Sequence, residues 1–288
     1  MDADSWVFKI LEFYGTRLHH RGQWKVHAWL RDRLRPDVDA DLEVVRDGHR
    51  WLLNPSDYVQ KDFFWLGERD RWELLHAMKF LRRGDVILDI GANFGHYSIT
   101  LADRLHRSCE IHAFEPFPRN ADRLRTNIRL NGLEQVIRVH QIGLSDSEGI
   151  GAMMVRADNS GAATLAVGEG AAIAATDIRL TTLDAFCELK QLGRISFIKA
   201  DVEGFEERLI VGGAKTIARD EPVILLEFDP PKLLRAGSSV QRLAERLQHH
   251  NYSLLAAHRD KLVPLMELPK GEDLLNVFCL PASISMSR

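Results

Sequence analysis

Short apolar runs alternate with helix-like stretches across residues 86–250, and this alternation restricts the fold more than any other feature. The runs are rich in β-branched residues and mostly lack a polar alternation, which is typical of strands buried on both faces. Strands that alternate with helices form a parallel sheet covered by helices on both faces. The apolar runs are VILDI (86–90), EIHAF (110–114), VIRVHQI (136–142), ISFIKA (195–200) and PVILLEF (222–228).

Two further apolar stretches, residues 252–257 and 275–280, follow with no strong helix between them. We therefore expect them to close the sheet as a hairpin, which places one antiparallel strand in it. The predicted fold is α/β, with a mostly parallel sheet between two layers of helices.

The N-terminal part of the chain has a different pattern. Residues 5–35 are predicted to be helical, and residues 42–53 resemble a β-hairpin. A second helix is predicted over residues 68–82. We expect a helical and hairpin extension over residues 1–67 and one α/β domain over residues 68–288.

Composition limits the partners and the compartment. A formal net charge of -3 gives no general attraction to nucleic acid or to acidic membranes. Cys109, Cys187 and Cys279 lie far apart, in no disulfide or metal-binding spacing, which is typical of a reducing compartment. No apolar run is long enough to span a bilayer, and the N-terminus lacks the basic region of a signal peptide. We predict a cytoplasmic protein that binds neither nucleic acid nor membranes.

The first strand of the alternation contains Asp89 and runs into the turn GANFG. Ligands of open α/β sheets bind beyond the carboxyl ends of the strands. Gly91 and Gly95 permit a tight turn and let backbone N–H groups approach a ligand closely. The dinucleotide fingerprint G-x-G-x-x-G needs three glycines, and this turn has two, so the fingerprint is absent here. A purely structural turn is the alternative.

The second strand is followed by Glu115, which comes 26 residues after Asp89 and directly before Pro116. An acidic residue at this place on the neighbouring strand can accept hydrogen bonds from both hydroxyls of a ribose. The alternative is a solvated carboxylate at a strand end. Together the two strand ends predict a nucleoside ligand.

Polar residues also follow the later strands. Ser145 and Asp146, in GLSDSEG, are candidates to meet an adenine amino group. Asp201 and Glu203, in IKADVEGFE, stand before a helix, where one cap explains one acidic residue and two suggest a further role. Glu227 lies inside an apolar run, where a buried carboxylate needs a partner, and core pairing is an equal alternative.

Three questions stay open from these residues alone. A divalent cation shared by Asp201 and Glu227 is conceivable, because hard cations take oxygen ligands. His96 either faces the site or lies on the surface of the first helical turn. Residues 157–176 are rich in Gly and Ala without a period, which is typical of a lid, a binding loop or a disordered segment, and we favour a mobile lid near the ligand edge.

The order of these motifs resembles that of the FkbM family of S-adenosylmethionine-dependent methyltransferases. The resemblance covers roughly residues 70–230, and its most specific motifs are the D-x-G-A-N-x-G turn, F-E-P and K-x-D-V-E-G-x-E. The matching stretches are ILDIGANFGHYS, FEPFPRNADRLRTNIRLNG, GLSDSEG, NSGAATL, TTLDAF and IKADVEGFEERLIVGG.

The resemblance implies a class I methyltransferase fold, in which a seven-stranded sheet ends in an antiparallel strand. It also implies S-adenosylmethionine as the cofactor, with Asp201 and Glu203 beside the sulfonium and the methyl acceptor. Asp201 would thus serve both the cofactor and the reaction. The other cofactor positions implied are Asp89, Gly91, Asn93 and Gly95 for the methionyl part, Glu115 with Pro116 for the ribose, and Ser145 with Asp146 for the adenine.

The preferred function is O-methylation of a hydroxyl on a small metabolite or a sugar. A hydroxyl acceptor needs a base, and Asp201, Glu203 and a histidine are the candidates. One alternative is a non-catalytic scaffold that binds the cofactor and grips a partner through its basic, aromatic N-terminal helix. Another is a nucleotide-cofactor oxidoreductase, which the missing third glycine disfavours. A homodimer is left open.

Overall fold

The structure is a computed structural model that describes residues 6–18, 22–34, 38, 40–67, 70–156, 159–165 and 174–284. The chain forms two compact units. The first comprises Met1–Arg71 with Arg156–Ala162, and the second comprises Trp72–Val155 with Ala163–Arg288. None of the helices in the described ranges is long and apolar enough to cross a membrane.

The first unit is built around aromatic side chains. Its helical stretch is divided into two helices rather than one, and the predicted hairpin is present, with its turn at Asp47-Gly48 in the left-handed region. Trp51, Phe64 and Trp65 are buried, whereas Trp6, Trp24 and Trp29 are exposed. The elements are α1 (Trp6–Arg17), α2 (Gln23–Leu34), β1 (Leu42–Arg46), β2 (His49–Leu53) and α3 (Lys61–Leu66).

The large sheet of the second unit contains eight strands. They are β3 (Val86–Ile90), β4 (Glu110–Phe114), β5 (Ile137–His140), β10 (Ile195–Ala200), β11 (Val223–Phe228), β12 (Tyr252–Ala257), β13 (Leu262–Pro264) and β14 (Leu275–Pro281). A smaller sheet has the order β6-β9-β7-β8. Its strands are β6 (Gly143–Leu144), β7 (Gly149–Arg156), β8 (Asn159–Leu165) and β9 (Ala174–Thr181).

The helices of this part of the chain lie between the strands in sequence. They are α4 (Arg71–Ala77), α5 (His96–Arg104), α6 (Pro118–Leu130), α7 (Leu183–Lys190), α8 (Glu206–Gly212), α9 (Ala214–Asp220), α10 (Pro230–Arg235) and α11 (Val240–His249). Helix α4 is shorter than the predicted helix over 68–82. The predicted helix over 205–218 is two helices that meet at Gly213, where a Cβ atom would lie 2.7 Å from Leu183 Cδ2.

The strand order is β13-β12-β14-β11-β10-β3-β4-β5. Strands β11, β10, β3, β4 and β5 are parallel, and β14 runs antiparallel between β11 and β12. This is the class I methyltransferase arrangement that the resemblance implied. The expected count of seven strands is wrong by one, because β13 adds an antiparallel edge strand to β12. Only three residues long, β13 is too short to show a strand pattern in the sequence.

The predicted lid falls partly on described residues. Strands β8 and β9 occupy 159–165 and 174–181, so a structureless loop over the whole segment is wrong there. Residues 157–158 and 166–173 lie outside the described residues. The motion proposed for the segment stays a prediction.

The sheet positions the site through its strand order. Strand β3 lies between β4 and β10, so the chain fills one side of β3 with β4 and β5 and then crosses to its other side at β10. In open α/β sheets a crevice forms beyond the carboxyl ends of the strands at such a reversal. The residues after β3, β4 and β10 therefore converge on one edge.

Candidate active site

The glycine turn after β3 packs against the chain that follows β10. The N–H groups of Gly91 and Ala92 both donate to the carbonyl oxygen of Phe114, at 2.9 and 3.0 Å. Gly91 has φ +75°, and a Cβ atom there would lie 1.9 Å from the carbonyl oxygen of Asp201. Only glycine fits where the turn passes so close to the backbone of Asp201. The fold itself therefore requires Gly91, whatever the turn binds.

The second glycine of the turn begins α5. Gly95 has φ +97°, and a Cβ atom there would lie 2.6 Å from Leu124 Cδ1. His96 follows it and is buried between the rings of Phe94 and Tyr97. The alternative that placed His96 on the surface is therefore wrong.

Glu115 faces the same turn from the end of β4. Its Oε2 accepts the backbone N–H of Asn93 at 2.9 Å, and its Oε1 accepts that of Phe117 at 3.0 Å. Asn93 adopts φ +49°. Glu115 is 4% exposed, and this burial raises the pKa of its carboxyl group to about 7 against the opposing effect of the two N–H donors. Each oxygen keeps a lone pair for a further donor.

Asp89 is a second buried carboxylate of the site. It is 1% exposed, and its Oδ2 accepts both the N–H and the hydroxyl of Ser98, at 3.0 and 2.6 Å. Its Oδ1 accepts no hydrogen bond from the described residues. Burial raises the pKa of Asp89, while the ammonium of Lys199 acts in the opposite direction.

Lys199 is a site residue that the sequence interpretation missed. It is 8% exposed and lies opposite Asp89 in the β10–β3 register. Its Nζ donates to the carbonyl oxygen of Gly91 at 3.3 Å and lies 3.9 Å from Asp89 Oδ1 and 4.0 Å from Asp201 Oδ2. The signal in the sequence was a lysine within the apolar run ISFIKA, since buried lysines are rare without a partner.

Asp201 leaves β10 beside the glycine turn. Its N–H donates to the carbonyl oxygen of Ile90 at 3.0 Å, and its side chain is 31% exposed. The structure therefore brings Asp201 together with Gly91 and Lys199. An anionic side chain that is close to the turn and accessible to solvent can meet an acceptor from outside.

Glu203 belongs to a second charged cluster, centred on Lys232 of α10. Lys232 Nζ lies 2.7 Å from Glu227 Oε2, 3.1 Å from Glu203 Oε2 and 3.7 Å from Asp229 Oδ2. Burial raises the pKa of Glu227 to about 7 and also raises that of Glu203, with Asp201 adding to both shifts. Burial alone would lower the pKa of Lys232, but its carboxylate neighbours together raise it.

The suggested cation between Asp201 and Glu227 finds no support in this geometry. The ammonium of Lys232 already pairs with Glu227. Within the described ranges, no group of three or more His, Cys, Asp and Glu side chains is arranged to hold a metal ion. The partner that a buried Glu227 needs is therefore a lysine.

The turn between β10 and α8 is held by a different acid from the two singled out in the sequence. Oε1 of Glu206 accepts the N–H groups of Val202 and Gly204, at 3.0 and 3.4 Å. Glu206 is 1% exposed, and burial raises its pKa to about 8. Glu206 thus satisfies backbone donors of the turn, which leaves Asp201 and Glu203 for other contacts.

The remaining predicted residues lie on neighbouring segments. Ser145 is buried and donates its N–H to the carbonyl oxygen of Thr181 at 2.9 Å and its hydroxyl to Asp146 Oδ1 at 3.1 Å. Asp146 is exposed, and Pro116 is half-buried next to Glu115. The contacts of Ser145 and Asp146 do not join them to the glycine turn, so their adenine role stays a prediction.

Comparison with known proteins identifies the family of the chain. Residues 89–254, more than half of the chain, match the model of the methyltransferase FkbM domain. A segment of 84 residues is 39% identical to the 31-O-demethyl-FK506 methyltransferase FkbM of Streptomyces tacrolimicus. That segment is 28% of this chain and 30% of that protein, so the chain spans less than a third of that relative's length.

Two solved structures are also similar. The methyltransferase FkbM of Methylobacillus flagellatus KT is 18% identical, with a TM-score of 0.47 over 75% of this chain and 52% of that chain. An S-adenosylmethionine-dependent O-methyltransferase from Thermotoga maritima is 11% identical, with a TM-score of 0.42 over 89% of this chain and 83% of that chain. The family model begins at Asp89 and includes Glu115, Lys199, Asp201 and Lys232. The chain belongs to the methyltransferase FkbM domain family.

Proposed function

We propose that this protein is an S-adenosylmethionine-dependent methyltransferase that acts on a hydroxyl of a small metabolite or a sugar. The observation that carries the proposal is the buried carboxylate of Glu115, which the N–H groups of Asn93 and Phe117 hold beside the glycine turn. Burying a carboxylate is costly unless donors satisfy it. Two ribose hydroxyls are donors of the right kind for the lone pairs that remain.

The residues fit the cofactor at its other end as well. Asp89 Oδ1 is buried and accepts no hydrogen bond from the described residues, which suits a cationic donor such as an α-ammonium group. Asp89, Gly91, Asn93 and Gly95 would hold the methionyl part, and Glu115 with Pro116 the ribose. We assign Ser145 and Asp146 to the adenine on sequence order alone.

When bound, S-adenosylmethionine supplies an electrophilic methyl group on a cationic sulfur. The chain must align the acceptor, exclude water and remove a proton if the acceptor is a hydroxyl. Asp201 is anionic, partly exposed and adjacent to the turn, so it is the first candidate for the proton acceptor. Glu203 is held by Lys232 at 3.1 Å, which favours positioning of the acceptor over proton removal.

The O-methyl specificity rests on two supports. One is the carboxylate of Asp201, because a hydroxyl acceptor depends on a base more than an amine or thiolate acceptor does. The other is the name of the Streptomyces tacrolimicus relative, which refers to an O-demethyl compound. Neither nucleic acid nor a membrane is part of the proposed reaction, and a homodimer is compatible with it.

Two experiments in sequence test the proposal. Calorimetric titrations with S-adenosylhomocysteine and with NAD should show binding of the first and none of the second. Radiolabelled methyl transfer to a panel of hydroxylated acceptors should then depend on Asp201, with Asp122→Asn as an exposed control. NAD binding would favour an oxidoreductase. Cofactor binding without transfer to any hydroxylated, amine or thiol acceptor would favour a scaffold.

A further inference from the structure

Lys199 and Asp89 form a buried pair of opposite charges that does not close into a direct hydrogen bond. They occupy opposite positions on neighbouring parallel strands, and Lys199 Nζ lies 3.9 Å from Asp89 Oδ1. We propose that Lys199 binds the α-carboxylate of an amino-acid zwitterion whose α-ammonium group binds Asp89. The inference rests on the proposed function, in which that zwitterion is the methionyl end of the cofactor.

The first support is the unused hydrogen-bonding capacity of Lys199. An ammonium group has three N–H donors. Among the described residues, Lys199 Nζ has one hydrogen bond, at 3.3 Å to the carbonyl oxygen of Gly91. The carboxylates of Asp89 and Asp201 lie at 3.9 and 4.0 Å, beyond hydrogen-bond distance. A lysine that is 8% exposed therefore retains donors for an anionic ligand group.

The second support is the matching acceptor on Asp89. Ser98 satisfies Oδ2 with two hydrogen bonds, whereas Oδ1 is buried and accepts none from the described residues. This free oxygen is the one that faces Lys199. A spare anionic acceptor and a spare cationic donor thus lie side by side at the glycine turn. A zwitterion presents the two complementary groups on adjacent carbon atoms.

The charge balance also favours a zwitterion over a simple anion. Lys199 stands between two carboxylates at nearly equal distances, so these three groups carry a net charge of about -1 when all are ionised. A free anion would meet both carboxylates and be repelled. A zwitterion is neutral as a whole. The ring of Tyr97, with its centroid 5.1 Å from Lys199 Nζ, holds the ammonium in place from another side.

The competing explanation is that Lys199 only neutralises Asp89 and Asp201 within the fold. This explanation predicts the same loss for every ligand whose amine binds Asp89, with or without a carboxylate, when Lys199 is replaced. Carboxylate binding predicts a loss only for ligands that carry the carboxylate. The comparison of S-adenosylhomocysteine with decarboxylated S-adenosylhomocysteine, which keeps the amine, separates the two explanations, and 5′-methylthioadenosine, which has no amino-acid part, reports on the rest of the site.

The experiment is calorimetric titration of these three nucleosides into the wild-type protein, Lys199→Met and Lys215→Met. Lys215 is an exposed lysine on α9 and serves as the matched control. Lys199→Met should weaken S-adenosylhomocysteine binding about 10- to 100-fold, the range of a charge-assisted hydrogen bond, and should affect decarboxylated S-adenosylhomocysteine and 5′-methylthioadenosine far less. Lys215→Met should change none of the three affinities. Equal losses for S-adenosylhomocysteine and its decarboxylated form, or no loss, would overturn the carboxylate assignment while leaving the proposed cofactor intact.

A measurement on the wild-type protein covers the case in which Lys199→Met does not fold. Decarboxylated S-adenosylhomocysteine keeps the amine and lacks only the carboxylate, so it should bind about 10- to 100-fold more weakly than S-adenosylhomocysteine. Equal affinity of the two ligands would overturn the inference. If the wild-type protein bound none of the three nucleosides, the proposed function would itself be wrong.

Discussion

Asn93 donates its backbone N–H to Oε2 of Glu115 at 2.9 Å, and this hydrogen bond joins the segments that follow β3 and β4. Asn93 adopts φ +49°, a left-handed conformation that Asn tolerates better than most residues. A second donor, the N–H of Phe117, holds the other oxygen. The carboxylate is therefore oriented before any ligand arrives, which lowers the entropic cost of binding.

Replacement of Glu115 should weaken cofactor binding. Glu115→Ala removes the proposed acceptor for the ribose hydroxyls, and we expect S-adenosylhomocysteine to bind about 10- to 100-fold more weakly. Calorimetry on the folded variant measures this change. Glu134→Ala, at an exposed glutamate, is the control. Unchanged affinity in Glu115→Ala would remove the ribose assignment.

Replacement of Gly91 should disturb the fold before it disturbs any ligand. In Gly91→Val or Gly91→Ala the new Cβ atom would lie 1.9 Å from the carbonyl oxygen of Asp201, in a backbone conformation of φ +75°. The unfavourable conformation alone costs about 1–3 kcal/mol, and the contact forces Asp201 to move. We expect a lower melting temperature together with weaker cofactor binding.

Gly193→Ala is the matched control for the glycine turn, because an added Cβ atom at Gly193 meets nothing within 4 Å. It should leave both properties nearly unchanged. A Gly91→Ala protein with wild-type stability and affinity would show that the turn can relax around a side chain.

Substitution of the acids after β10 should affect turnover more than cofactor affinity. Asp201→Asn keeps the shape of the side chain and removes its charge, so we expect turnover to fall by roughly 10²–10⁴-fold. Glu203→Gln should act in the same direction if Glu203 positions the acceptor. Steady-state kinetics with a confirmed acceptor provides the measurement. Near-normal turnover in both variants would mean that the pair is structural.

Removal of Lys232 should destabilise the chain by leaving carboxylates unpaired. Lys232→Met deprives Glu203 and Glu227 of their common partner, and breaking a buried pair in this way typically costs about 3–5 kcal/mol. Adding Glu227→Gln should recover part of the loss, because the amide carries no charge. Urea unfolding of the single and double variants tests this. A double variant less stable than Lys232→Met would contradict the explanation.

The raised pKa of Glu206 should contribute to the pH dependence of the free energy of unfolding. Its pKa rises from the ordinary 4.5 to about 8 because of burial, so its folded state favours the neutral acid. The stabilisation that comes from the neutral form of Glu206 is complete below the ordinary pKa and is lost as the pH rises through about 8. A folded pKa that lies one pH unit above the unfolded pKa changes the free energy of unfolding by at most about 1.36 kcal/mol. The free energy of unfolding of Glu206→Gln, measured with urea, should therefore increase relative to that of the wild type as the pH rises from about 5 to about 9.

The neighbouring Glu207 should show the opposite sign. Burial alone would raise the pKa of Glu207, but hydrogen bonds from Ser238 and Arg246 and the charge of Arg242 lower it below its ordinary value. Its stabilisation is present above the ordinary pKa and is lost in acid. Glu207→Gln should thus lose stability relative to the wild type at neutral pH and not below about pH 4. If the stability of Glu206→Gln relative to the wild type changed with pH in the same direction as that of Glu207→Gln, burial would not set the pKa of Glu206.

The positions of several strands and the glycine turn were predictable because their signals are local. The bounds of β3, β4, β10 and β12 agree with the apolar runs. For β3, β4 and β10 the reason is that a strand buried on both faces is apolar along most of its length. Asp89 and the glycine turn were recognisable for a similar reason. Left-handed backbone in a turn favours glycine, and the two glycines of this turn lie close together in the sequence.

The roles of Lys199, Glu206 and Lys232 depended on tertiary structure. Lys199 is only a polar residue in an apolar run until β10 pairs with β3 and sets it opposite Asp89. Lys232 meets Glu203 and Glu227 because α10 packs against Gly204, where a Cβ atom would lie 2.4 Å from the Lys232 carbonyl oxygen. Local sequence determines which segments become strands and turns, because backbone preference and burial pattern act over a few residues. Which charges become partners is decided only when packing brings distant segments within a few ångströms, since electrostatic and hydrogen-bond energies fall off steeply with distance.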